Sequence, residues 1–189
     1  MTRMFAAASM VALLAACSPA SDAVDGDDAA MTTEVFTTCP ETMVVSLDAY
    51  SAETLPDTTD FEQWHIENAT RDGVQETESG LQYKVIQEGA DNAAVAVPGE
   101  EIVAHYHGYF PNGEVFDSSY ERDDPLVYAS NAFISGWNEA LAEMKVCEAR
   151  TLYVPADLAY GNSGAGGRPT GTLVFNMQLI AVNRVSDAE

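Results

Sequence analysis

The sequence predicts an α+β domain, an antiparallel β-sheet of five to six strands wrapped around one short α-helix, with an N-terminal arm. The first observation is a series of apolar, β-branched and aromatic runs bounded by turn residues, at 81–87, 101–110, around 115, and at 126–128, 150–154 and 172–182. The second is Pro111-Asn112-Gly113, a hairpin signal between two of these runs. The third is a single helical pattern after Gly136, in which Trp137, Leu141 and Met144 share one face.

The first residues predict an export signal rather than a membrane span. Arg3 precedes an apolar run over residues 5–16. As a helix this run covers about 18 Å of a hydrocarbon core of roughly 30 Å. Residues 14–16 lead directly into Cys17, a context that resembles the bacterial lipoprotein box, in which the cysteine is acylated and becomes the new N-terminus. We therefore expect a lipoprotein signal peptide over 1–16 and a lipid anchor at Cys17.

An ordinary signal peptide with a chance cysteine at position 17 is the alternative. With the anchor, the expected location is the bacterial cell envelope, on a membrane and facing the periplasm. Ser18, rather than an aspartate, follows Cys17 and favours the outer membrane over the inner one.

The charge excludes nucleic acid as a partner. The chain carries 30 Asp and Glu against 8 Lys and Arg, a formal net charge of −22, whereas binding to nucleic acid needs cations that displace counterions. Residues 17–38 are acidic, contain many small residues and hold no Lys or Arg. They predict a flexible spacer between the lipid and the folded domain, and an acidic docking tail is the alternative.

Residues 39–72 predict a pre-domain arm with a short helix, ahead of the main folded domain at 73–183 and a tail at 184–189. Phe61, Trp64 and His65 have the spacing of one helical face, with Thr59 or Asp60 as the N-cap. Such an arm packs on the domain or serves as a dimerisation element, and its brevity favours packing. We expect a monomer because no long N-terminal helix is present for dimer formation.

Two cysteines remain once Cys17 is acylated. Cys39 and Cys147 form an even pair in an oxidising compartment, where disulfides persist. We expect them to pair and to staple the arm to the domain. Two free, buried thiols are the alternative, because a sequence does not give the distance between them.

Six segments of the domain follow one another as they do in a known family. They are Gly80-Leu81-Gln82-Tyr83, Ala104-His105-Tyr106-His107-Gly108, Gly113-Glu114-Val115-Phe116-Asp117-Ser118-Ser119, Ile134-Ser135-Gly136-Trp137, Val154-Pro155-Ala156-Asp157-Leu158-Ala159-Tyr160-Gly161 and Thr172-Leu173-Val174-Phe175. In this order and at these separations they resemble the FKBP-type peptidyl-prolyl cis/trans isomerases, in particular their secreted, Mip-like bacterial branch. The resemblance implies an isomerase that accelerates rotation of X–Pro bonds in secreted or envelope proteins.

The resemblance also implies an aromatic pocket for the substrate proline. Trp137 forms its floor and Ile134 offers a backbone N–H. Tyr160 directs its hydroxyl at a substrate carbonyl, and Asp117 lies at the rim, where it pairs with Arg122. The remaining implied residues are the walls Tyr106, Phe116 and Phe175 and the rim residues Leu126 and Phe133.

Two departures from the family concern the rim of this pocket. Leu126 stands where many members carry an aromatic residue, so one wall is thinner. The loop over residues 161–171 contains five glycines and lacks the bulky aliphatic residues of relatives. These departures put in doubt two properties of the family, tight binding of macrolides and the preference for large residues before proline.

We expect no cofactor and no metal. His105 and His107 alternate on one strand and share a face, but Tyr106 between them is the pocket residue, so both should point away from the pocket. The second functional hypothesis is a non-catalytic, chaperone-like module that binds proline-containing segments in the same groove. The joint presence of Asp117, Ile134, Trp137 and Tyr160 favours the enzyme.

Overall fold

The computed structural model describes residues 37–50, 55–57, 60–163 and 165–183. The proposed signal peptide, Cys17, the spacer up to residue 36 and the tail at 184–189 lie outside these residues. The elements, in chain order, are α1 (Phe61–Ala69), β1 (Val74–Glu76), β2 (Gln82–Gln87), β3 (Glu101–Tyr109), β4 (Val115–Ser118), α2 (Ser119–Arg122), β5 (Leu126–Ala129), α3 (Ser135–Leu141), β6 (Ala149–Val154) and β7 (Leu173–Asn183).

All strands join one antiparallel sheet in the order β1-β2-β6-β7-β3-β4, and β5 pairs with the beginning of β3. The predicted α+β class is confirmed, but the predicted number of strands is wrong, since the sheet has seven strands. The additional strand is β1, a three-residue edge strand too short for a periodic pattern. The single-turn helix α2 was also not predicted; the Ser118 hydroxyl caps it by accepting a hydrogen bond from the Glu121 N–H at 3.3 Å.

The main core lies between the concave face of the sheet and α3. Trp137, Ala140 and Leu141 project from this helix and are 4% exposed or less. They pack with alternate residues of the central strands, including Leu152 of β6 and Met177 of β7. Gly136 permits the close approach of helix and sheet, because a Cβ there would lie 2.6 Å from Cγ1 of Val154.

The opposite face of the sheet is covered by α1. Asp60 is its N-cap and accepts hydrogen bonds from the N–H groups of Glu62 and Gln63, both at 3.1 Å. Trp64 is fully buried and packs with Tyr153 of β6 and Val174 of β7. The predicted helix therefore exists and packs on its own domain; the side chain of Phe61 lies outside the described residues.

The segment over residues 37–50 is attached to β7 where β6 no longer pairs with it. Thr38 forms a β-bridge with Ala181, and the Cys39 N–H donates to the Ile180 carbonyl at 2.7 Å. The side-chain amide of Gln178 donates to the Met43 carbonyl at 2.8 Å. The segment thus extends the sheet by one bridge.

Cys39 and Cys147 form a disulfide in the structure, with their Cα atoms 5.0 Å apart. Both cysteines are buried in the main core. The bond joins the N-terminal segment to the turn before β6 across a sequence separation of 108 residues. In the part of the chain that the structure describes, no helix has the length and apolarity to cross a bilayer.

Loss of the disulfide should lower the free energy of unfolding by about 2 to 5 kcal/mol, because a long loop is no longer closed in the unfolded chain. Urea unfolding of wild type and of Cys39→Ala/Cys147→Ala under oxidising conditions measures the difference. Reductant should destabilise the wild type and leave the double variant unchanged. Equal unfolding free energies of the two oxidised proteins would contradict the stapling role.

Candidate active site

An open cleft of about 1040 Å³ lies between the concave end of the sheet, the start of α3 and the loop that precedes β7. Its lining is mainly aromatic and aliphatic. Four strands (β3, β4, β5 and β7), the start of α3 and the neighbouring loops line the cleft with Tyr106, Phe110, Phe116, Asp117, Leu126, Ala132, Phe133, Ile134, Ser135, Trp137, Ala159, Tyr160, Gly167, Arg168, Pro169 and Phe175.

Trp137 lies at the centre of an aromatic cluster. Its ring centroid is 5.2 Å from that of Tyr106 and 5.1 Å from those of Phe133 and Phe175. The contacts with Tyr106 and Phe175 are edge-on, a favourable geometry for aromatic pairs. The cluster extends through Phe175 to Phe116, 5.6 Å away. These rings come from β3, β4, β7, α3 and the loop before α3, and together they form an apolar floor and wall.

Glycine at position 108 allows two of these rings to meet. A Cβ there would lie 2.7 Å from Cε2 of Phe116 and 3.0 Å from Cε1 of Phe175. Both distances are too short for carbon atoms in contact, so a larger residue would displace the rings. Tyr106 and Gly108 alternate along β3 and therefore share the concave face of the sheet.

A hydrogen-bonded trio of polar side chains lies at one rim. The Tyr106 hydroxyl donates to Oδ2 of Asp117 at 2.5 Å. Arg122 donates to Oδ1 of Asp117 and, at 3.0 Å, to the Tyr106 hydroxyl. The trio fixes the Tyr106 ring at the wall of the cleft.

These contacts determine the charge of Asp117. Burial raises the pKa of its carboxyl, but hydrogen bonds from Tyr106 and Arg122, together with the charge of Arg122, outweigh burial and hold the pKa below its ordinary value of 3.8. Burial and the hydrogen bond to Asp117 raise the pKa of the Tyr106 hydroxyl. Asp117 is therefore a carboxylate, and Tyr106 a neutral donor, at neutral pH.

Ile134 is the N-cap residue of α3 and has an extended backbone. The Asn138 side chain fixes the loop before it, accepting from the Phe133 N–H at 3.1 Å and donating to the Phe133 carbonyl at 3.2 Å. Among the described residues, the Ile134 N–H donates to no protein acceptor. A backbone donor is thus left at the mouth of the cleft.

Tyr160 forms the opposite rim and is 41% exposed. Its ring lies under the guanidinium of Arg168, with 5.5 Å from the Arg168 Cζ to the ring centroid. The loop over residues 161–171, which carries Arg168, is closed by a hydrogen bond of 3.1 Å from the Gly171 N–H to the Gly161 carbonyl. Within the described residues, the Tyr160 hydroxyl has no hydrogen-bond partner.

The two histidines of β3 face away from the cleft. Nδ1 of His105 lies 3.0 Å from the Ser119 hydroxyl, and the ring stacks on Tyr120 with centroids 4.6 Å apart. Nδ1 of His107 lies 3.0 Å from the Ser118 hydroxyl. In the described ranges, no group of three or more His, Cys, Asp or Glu side chains is arranged to hold a metal ion.

The structure brings the sequence-predicted site residues together at one cleft. Arg122 does not line it but pairs with Asp117 at the rim. The lining also includes Phe110 and Arg168, which the sequence analysis did not assign to the site. The alternation of Tyr106 and Gly108 along β3, continued by two residues, is the signal that would have assigned Phe110 to the lining. Arg168 lies in a glycine-rich loop without a periodic pattern.

Two family models match the chain. Residues 93–180 match the model described as FKBP-type peptidyl-prolyl cis-trans isomerase. Residues 9–85 match the model of the domain amino-terminal to FKBP-type peptidyl-prolyl isomerase. The two matched ranges do not overlap, and the second includes α1 and β1.

Individual relatives agree with the models. The chain is 42% identical over 118 residues to the FKBP-type 22 kDa peptidyl-prolyl cis-trans isomerase of Escherichia coli, covering 61% of this chain and 56% of the relative. The crystal structure of FkpA from Escherichia coli matches with a TM-score of 0.62 and 31% identity, covering 67% of this chain and 59% of that one. The crystal structure of AtFKBP13 matches with a TM-score of 0.52 and 34% identity, and the match covers 58% of this chain and 98% of that one.

The fold, the aromatic cleft and these matches define a prolyl isomerase-like domain. The chain belongs to the FKBP-type peptidyl-prolyl cis-trans isomerase family, and the resemblance seen in the sequence is confirmed. The chain spans about half the length of the curated relatives it matches.

Replacing Arg122 by Gln should raise the pKa of Asp117, because a donor and a positive charge are both lost. The folded-state pKa of Asp117 is depressed, so its contacts stabilise the protein above the unfolded-state pKa and cease to do so as pH falls through the folded-state pKa. The stability difference between wild type and Arg122→Gln should therefore become smaller in acid. An NMR titration of the Asp117 carboxyl carbon measures the shift.

Lys84→Gln is the matched control, since it removes the same charge from β2 on the far side of the sheet. It should leave the Asp117 titration unchanged. An Asp117 pKa that is the same in wild type and in Arg122→Gln would contradict the assignment.

Proposed function

We propose that this chain is a peptidyl-prolyl cis/trans isomerase that acts on X–Pro bonds of polypeptides in the bacterial envelope. The observation that supports this most directly is the aromatic cleft with Trp137 at its floor. Proline is the one residue whose preceding amide is populated in both isomers, and its ring is a compact apolar group suited to such a floor.

The cleft suits a reaction that breaks no covalent bond. Rotation of the X–Pro amide must cross a barrier of about 18 to 20 kcal/mol, set by the resonance that the twisted amide loses. A twisted amide has less charge separation than a planar one. Transfer into an apolar site that excludes water therefore costs the transition state less than the ground state, and the difference lowers the barrier.

The polar groups at the mouth would hold the substrate rather than react with it. The Ile134 N–H and the Tyr160 hydroxyl have no protein partner among the described residues, so both are available to the carbonyls that flank the proline. Two such bonds from separate parts of the cleft favour a turn in the bound peptide that permits rotation. Asp117, paired with Arg122, keeps the Tyr106 ring against the proline.

The Tyr160→Phe substitution tests this site without disturbing the fold. It leaves the ring and removes a hydroxyl that makes no bond within the described residues, so the free energy of unfolding should not change. The loss of one substrate hydrogen bond should lower kcat/KM for a short X–Pro peptide by about five- to tenfold. Trp137→Leu, which keeps an apolar residue at the floor, should lower kcat/KM by about tenfold or more.

Tyr83→Phe is the matched control, because it removes a hydroxyl from β2, outside the cleft. Its kcat/KM should equal that of wild type in the same protease-coupled assay. Full activity in folded Tyr160→Phe and Trp137→Leu would contradict the proposed site. Binding of proline peptides by the wild type without acceleration would leave the non-catalytic binding module as the function.

Anchoring through Cys17 is part of the same proposal, and the residues around Cys17 support it. Metabolic labelling with radioactive palmitate in a bacterial host should mark the full-length wild type and not Cys17→Ser. The variant should also move from the membrane fraction to the soluble fraction, because more than one acyl chain is then missing. Equal labelling of the two proteins would contradict the lipid anchor at Cys17. An unlabelled, soluble wild type would favour the ordinary signal peptide.

A further inference from the structure

Arg168 gives the mouth of the cleft a positive charge that no carboxylate of the described residues neutralises. Its side chain is exposed and lines the cleft beside Tyr160 and Pro169. In the described part of the chain it forms no ion pair, and its guanidinium lies over the Tyr160 ring, 5.5 Å from Cζ to the centroid. The contact with an aromatic face holds the guanidinium at the rim while leaving its edge N–H groups available to a ligand.

The other charged residue of the lining is already compensated. Asp117 is bound by Arg122, so this pair contributes little net charge. Among the residues that line the cleft, Arg168 therefore carries the one uncompensated charge, in a chain whose formal net charge is −22. A cation at the mouth of an otherwise acidic protein attracts an anionic group and orients it by hydrogen bonds.

We propose that Arg168 is a specificity-determining residue that favours substrates with Glu or Asp immediately before the proline. This inference rests on the proposed isomerase function. The carbonyl of the rotating amide is that of the residue before the proline. This residue must therefore enter the mouth of the cleft together with the proline ring. Its side chain then reaches the rim, where a guanidinium matches a carboxylate with two parallel hydrogen bonds.

A purely structural role for Arg168, as a support for the Tyr160 ring, predicts something different. Loss of that support would lower kcat/KM for every peptide by a similar factor. Recognition of a carboxylate instead changes the ratio between peptides that differ only in charge. The ratio for Glu-Pro against Gln-Pro peptides separates the two roles, because the side chains have nearly the same shape.

The test measures kcat/KM of the full-length chain for matched peptides with Glu, Gln or Lys before the proline. Wild type should prefer Glu over Gln by about three- to fivefold, the upper part of the range for one partly exposed ion pair. Arg168→Gln should bring this ratio to about one, and Arg168→Glu should make the Lys-Pro peptide the better substrate. At 1 M salt, where the screening length is about 3 Å, the wild-type preference should shrink towards one.

Lys145→Gln is the control for net charge, since Lys145 lies outside the cleft lining and its loss removes the same charge. It should keep the wild-type ratio. A Glu/Gln ratio that is equal in wild type and Arg168→Gln would overturn the inference while leaving the isomerase intact. A wild type that accelerates none of the peptides would overturn the proposed function itself.

Discussion

The burial of the Trp137 indole against the concave face of the sheet is the contact on which both core and cleft depend. Trp137 is 4% exposed. The ring centroids of Tyr106 of β3, Phe133 of the preceding loop and Phe175 of β7 lie within 5.2 Å of its own. One side of this cluster belongs to the hydrophobic core, and the other is the floor of the cleft. The free energy that folds the domain therefore also preorganises the surface that would receive proline.

The back of the sheet supports this arrangement. Trp64 of α1 packs on Tyr153 and Val174, which belong to the same strands that carry core residues on the concave face. The disulfide between Cys39 and Cys147 ties the N-terminal segment to the turn before β6. A sheet covered on both faces keeps one register, because a slip of one residue would exchange the residues of the two faces.

Most of the strands and the two longer helices could be predicted from the sequence, whereas the edge strand β1 and the single-turn helix α2 could not. The family resemblance implied that Tyr106 lines the pocket, and alternation along β3 then turned His105 and His107 away from it. The helical spacing after Gly136 placed Trp137 on a buried face. The edge strand β1 was missed because three residues carry no pattern. The surface that α1 covers was not predicted, because a helical pattern indicates which residues are buried but does not identify the residues they pack against. Arg168 was missed because its position depends on a loop of glycines and on the Tyr160 ring.

The most direct test of the central claim is exchange NMR on a peptide with one X–Pro bond and a small amount of the full-length chain. Unaided exchange between the isomers takes tens to hundreds of seconds, so a free peptide shows no exchange peaks at mixing times of about one second. Catalysis at the aromatic cleft predicts clear cis/trans exchange peaks at that mixing time. Peptide signals that shift on binding without exchange peaks would contradict catalysis.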